Sequence, residues 1–84
     1  MNVKDKYIYP AIFDFDNDGI TGTFPDLPGC ITCGDCQEEA FRNAKEVLEL
    51  YMYGLEQDEE KIPEPSQRNL IKTEDTQSIV LIDI

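Results

Sequence analysis

Eighty-four residues make one domain, and a chain this short buries only one modest core. Eighteen acidic against seven basic side chains leave a net charge of −11, which argues against direct binding of nucleic acid or of an anionic membrane surface and suits a basic partner. Histidine is absent, which removes the commonest general base near neutral pH and any Ser–His or Cys–His nucleophile pair.

From Tyr7 to Phe15 the odd positions are Tyr, Tyr, Ala, Phe and Phe, a period-two pattern that predicts a strand with one apolar face. Pro10 lacks an N–H, so this strand is expected at a sheet edge or starting there. Asp16-Asn17-Asp18-Gly19 reads as a hairpin turn, since Asn, Asp and Gly tolerate left-handed backbone. Ile20 to Phe24 alternates again, with Ile20, Gly22 and Phe24 on one side, and predicts a second, antiparallel strand. Two prolines and a glycine in "PDLPG" break it, and Cys30 to Cys33 forms a short third strand.

Asp35 followed by Glu38 is spaced as a capping box. Beyond it Ala40, Phe41, Ala44, Val47, Leu48, Tyr51, Met52 and Leu55 recur at three and four, one apolar stripe on a helix from about Cys36 to Gln57. Gly54 falls late in it and loosens the last turn. "EQDEEK" is a solvated charge run, "IPEPS" cannot continue a helix, and Ser66 to Ile71 fits a short helical turn. "SIVLIDI", from Ser78 to Ile84, is so apolar and β-branched that it reads as a strand buried on both faces. The order β-β-β-α-β predicts an α+β two-layer domain over residues 1–84, an antiparallel meander and a fourth strand covered on one face by one long helix. No apolar run reaches the ~20 residues that span a bilayer, and "MNVKDKY" has no apolar signal core, so a cytoplasmic protein is expected.

Three motifs carry chemistry on their face. "DFDNDG", Asp14 to Gly19, opens like a calcium loop, but its twelfth position is Pro25, which has no carboxylate to offer, and its flanks alternate like strands. Asp14, Asp16, Asp18 and Asp26 invite comparison with a two-metal nuclease, yet the further ligands, Glu46, Glu49 or Asp83, have no supporting spacing. "CITCGDC" sets Cys30, Cys33 and Cys36 three apart as a zinc or iron–sulfur site begins, with no fourth Cys and no His to complete it. An odd number of cysteines makes no disulfide framework either. Solvated turns and small packed side chains are the preferred readings, with no metal and no cofactor.

One combination of residues is specific. Tyr9-Pro10-Ala11, then Phe24-Pro25-Asp26-Leu27-Pro28-Gly29-Cys30, then Thr32, Gly34 and Glu39-Ala40, then Ile62-Pro63-Glu64-Pro65-Ser66, resembles the HicB-like antitoxin family over Tyr9 to Ile84. The resemblance implies a partial ribonuclease-H-like fold with no catalysis of its own. It implies a partner, a small basic HicA-like toxin that cleaves messenger RNA and whose active site the antitoxin covers, and a homodimer as the default assembly. Cys30 sits where the family often has Cys, while Cys36 often corresponds to Thr or Ser.

Many members add a C-terminal DNA-binding segment. This chain stops at Ile84, so a short form or a cut chain is expected and operator binding is not carried over. Asp14, Asp16, Asp18 and Asp26 are the expected toxin contacts, because the helix covers the other sheet face. The competing readings are a stand-alone protein-interaction module and a metal-binding nuclease relic.

Overall fold

The computed structural model describes residues 7–67 and 71–84. Its elements are β1 (Ile8–Asp16), β2 (Gly19–Thr23), β3 (Ile31–Gly34), α1 (Gln37–Gln57) and β4 (Gln77–Asp83), in the predicted β-β-β-α-β order. The strands make one antiparallel sheet ordered β3-β2-β1-β4. The helical turn expected over Ser66 to Ile71 falls on residues 68–70, which lie outside the described residues. Among the described residues, no helix is long and apolar enough to cross a membrane.

Alternation along β1 holds for Tyr9, Ala11 and Phe13, but Phe15 at its end is exposed and Pro10 on the opposite face is buried. Tyr9, Ala11 and Phe13 are buried under α1, joined by Ile20 and Phe24 from the β2 side and Ile82 from β4. From the helix, Ala40, Ala44, Leu48 and Met52 recur every fourth residue and are all buried, with Val47, Tyr51 and Leu55 packed beside them. Phe41 leaves the stripe. It is exposed, and the Lys45 ammonium lies 5.8 Å from its ring centroid.

Four expectations are corrected. β1 is an inner strand, not an edge. Tyr7 exchanges backbone hydrogen bonds with Ile84, and the Phe15 N–H donates to the Thr76 carbonyl, so odd residues of β1 bond toward β4. Pro10 therefore turns its nitrogen toward β2, whose pairing reaches only Ile12↔Thr23, and the ring costs no ladder bond. β4 is an edge strand rather than one buried on both faces. Only Ile82 in it is fully buried, because Ile79 and Leu81 point to the face that α1 leaves open.

The helix cap is shifted by one residue. Cys36 is the N-cap, and Glu39 rather than Glu38 reaches back, accepting the Asp35 N–H at 2.6 Å. Gly54 does not loosen the helix, which runs through it to Gln57 and closes with Asp58 N–H on the Gly54 carbonyl.

Candidate functional site

The sheet face away from α1 is built by the even residues of β1 and their cross-strand partners. Ile31, Thr23, Ile12 and Ile79 pair in one row across all four strands. The next row toward the hairpin is Cys33, Thr21, Asp14 and Gln77, and beyond it lies Asp16 opposite Gly19. The face thus has an aliphatic middle and an acidic hairpin end, with Asp83 opposite Ile8 at the far end, and none of the four strands contains Lys or Arg.

The acidic end depends on two glycines. Gly19 alone takes the left-handed backbone of the hairpin, with φ 141°, while Asn17 and Asp18 do not. A Cβ on Gly19 would stand 2.9 Å from the Gly34 carbonyl oxygen. One on Gly34 would stand 2.5 Å from the Ala40 nitrogen. The hairpin, β3 and the first turn of α1 therefore meet closely around an open hollow of about 290 Å³. Asp16, Asp18, Asp35 and Glu39 line it, beside Asn43, whose side-chain amide donates to the Cys33 carbonyl at 2.9 Å. Sequence reading missed Asp35, Glu39 and Asn43 here, because a capping pattern explained Asp35, Glu39 entered only as a motif residue, and nothing marked the close glycine contacts.

The four aspartates singled out in the sequence do not form one cluster. Asp14 accepts from the Thr76 hydroxyl and the Gln77 amide, each at 3.2 Å, tying β1 to the start of β4. Asp16 accepts its neighbour Asn17 N–H at 2.6 Å, and Asp18 is exposed at the turn. Asp26 is at the opposite end of the hairpin, where it accepts Ser66 N–H at 2.9 Å and the Ser66 hydroxyl at 2.5 Å. It holds the "IPEPS" segment against the sheet, helped by the Tyr9 hydroxyl donating to the Pro63 carbonyl. Among the described residues, no group of three or more His, Cys, Asp or Glu is placed to hold a metal ion.

The recurrent motif residues build the fold. Leu27 N–H donates to the Phe24 carbonyl and Cys30 N–H to the Leu27 carbonyl, both at 3.0 Å, so two turns in succession drop Leu27 into the core. The Tyr51 hydroxyl donates to the Pro28 carbonyl at 2.9 Å, Gly29 takes φ 82°, and Pro25 is exposed on the rim. Burial of Cys30 pushes its thiol up to about 11, whereas Cys33 and Cys36 are exposed. Tyr7 is pushed up to about 12 by its hydrogen bond to the Glu56 carboxylate and then by burial. Burial, then the Asp26 and Glu64 charges, raise Tyr9.

Comparison with known proteins places this arrangement. The family model described as "HicB_like antitoxin of bacterial toxin-antitoxin system" matches residues 9–84. An uncharacterised 14.9 kDa protein of Haemophilus phage HP1 is 39% identical over 56 residues, 67% of this chain and 42% of that protein. Antitoxin HicB 2 of Photorhabdus laumondii is 37% identical over 60 residues, 71% of this chain and 43% of that protein. The chain therefore spans less than half the length of these two relatives. A chain of a toxin–antitoxin complex from Streptococcus pneumoniae shares the fold, with a TM-score of 0.83 at 22% identity over 93% of this chain and 68% of that one. With a family model covering all but the first eight residues, the chain belongs to the HicB-like antitoxins of bacterial toxin–antitoxin systems.

Proposed function

We propose that this protein is the antitoxin of a cytoplasmic toxin–antitoxin pair and that it binds a small, basic, HicA-like ribonuclease and blocks its active site. The observation that carries this reading is the family match over residues 9–84. The charge supports it, since a net −11 domain competes for a surface built to hold phosphates. The domain acts by occupancy, with no reaction of its own. Asp16 and Asp18, solvated at the hairpin tip, and Asp14 beside them are the acids that meet the toxin. Asp26 contributes indirectly, by holding residues 62–67 in place.

The test is RNA cleavage by the HicA-like protein encoded beside this gene, with and without an equimolar amount of the full chain. Cleavage should stop, and should return as salt is raised and the complex dissociates. Undiminished cleavage with the antitoxin in excess at low salt overturns the proposal.

A further inference from the structure

We infer that the toxin docks on the helix-free sheet face, centred on the aliphatic row Ile31–Thr23–Ile12–Ile79, with the hairpin aspartates as its charged rim. This deepens the toxin-binding reading and rests on it. Exposed aliphatics at the two sides of the face mark the patch: Ile31 is 58% exposed on one edge strand and Leu81 48% on the other. Between them Ile12 and Ile79 are half-buried side by side in the register. An apolar patch with a polar margin is the usual build of a protein interface.

Charge decides the occupant. Asp14, Asp16 and Asp18 lie at one end and Asp83 at the other, opposite Ile8, and no strand carries Lys or Arg. A second copy laid on this face would bring another net −11 chain against its own acids. Nucleic acid would be repelled. A protein with an apolar centre and Lys or Arg beside it satisfies both parts, and a basic ribonuclease supplies them. The aliphatic row then gives affinity, while the acids steer the encounter and fix orientation.

Calorimetric titration of the full chain with the neighbouring HicA-like protein, at low and at high salt, tests this. The pair Ile31→Ser with Leu81→Ser should raise Kd about tenfold or more at both salt levels, as loss of a central apolar contact does. The pair Leu50→Ser with Tyr53→Ser, on the outward face of α1, should leave Kd unchanged. Amide shifts in the unsubstituted chain supply a readout that needs no variant. On complex formation they should gather on Ile12, Thr23, Ile31 and Ile79. Parent-like binding by the sheet variant, shifts confined to α1, or a sheet variant that disrupts only self-association would each overturn the docking face and leave the antitoxin reading standing. No binding by the parent chain would overturn both.

Discussion

The two faces of this sheet are made of the same strands and similar residues, yet they do different work. Tyr9, Ala11 and Phe13 of β1 are 2%, 0% and 0% exposed beneath α1, while Ile8, one residue away, is 48% exposed on the other face. Aliphatic character alone does not decide burial. Coverage does, by the helix for Tyr9, Ala11 and Phe13, although Pro10 on the other face is fully buried as well. The helix therefore buries one side, while Ile8, Ile31 and Leu81 stay exposed on the other.

Substitutions that remove side chains from each side test that division most strongly. Leu48→Ala empties a position that is 0% exposed and should cost about 3–4 kcal/mol. Leu81→Ala, on the open face, should cost only about 0.5 kcal/mol. Chemical unfolding curves measure both. Equal losses would mean that the open face also holds the fold together.

The glycines sharpen the same contrast. Gly34→Ala forces a Cβ to within 2.5 Å of the Ala40 nitrogen, which cannot move without lifting α1 off the sheet. It should destabilise by about 3 kcal/mol. Gly54→Ala meets nothing within 4 Å and should stabilise by about 0.5–1 kcal/mol through helix propensity. Thermal melts of the two variants should therefore move in opposite directions.

Period-two alternation exposed β1 and β2 in the sequence, and the three-four stripe exposed α1, because both patterns record coverage directly. Pro10 and the apolar run of β4 misled for a common reason. Which strand lies at an edge depends on pairing between distant segments, and β4 closes onto β1 across more than sixty residues, Phe13↔Ser78 among them. The acidic hollow was illegible for a similar cause, since Asp18 and Glu39 line one hollow only because two glycines let backbones approach. The motif residues were legible as a family pattern, but their work was not: Asp26 looks like a surface acid until Ser66 is seen on it.

Cysteine chemistry separates the covered side from the exposed side in a single experiment. Cys33 and Cys36 should react quickly with a thiol reagent in the native protein, and Cys30, 1% exposed, only on unfolding. Burial raises the Cys30 thiol from 9.0 to about 11, so the folded state prefers the neutral form. Below pH 9 the thiol is protonated in both states and pH has no effect. Between pH 9 and 11 the unfolded chain ionises first, so stability falls as pH rises. Tyr7, pushed up to about 12, extends that decline above pH 10, and Tyr7→Phe should remove this later part. A Tm that is level from pH 8 to 11 would contradict the buried thiol.

If stability resides with α1, improving its ends should stabilise the domain without touching the open face. At the C-terminus Glu59 sits at φ 56°, its N–H on the Glu56 carbonyl and the Glu60 N–H on the Leu55 carbonyl, the pattern that usually carries glycine. Acids crowd this end, where the helix dipole disfavours negative charge. Glu59→Gly removes both the left-handed strain and one charge, and should gain about 1 kcal/mol.

The N-terminus offers a smaller gain. Cys36 has the extended backbone of an N-cap, φ −140° and ψ 170°, but its side chain makes no capping bond. A serine hydroxyl there can accept an N–H of the first turn that a thiol leaves to solvent. Cys36→Ser should therefore raise stability by about 0.5–1 kcal/mol. Cys36→Ala is the control: it removes the thiol without supplying an acceptor and should show no gain. If serine and alanine melt together, the Glu39 carboxylate on the Asp35 N–H already provides what the first turn needs, and the cap here is the carboxylate rather than residue 36. Either result leaves toxin binding unchanged if the docking face is the helix-free one, because Cys36 lies outside the aliphatic row.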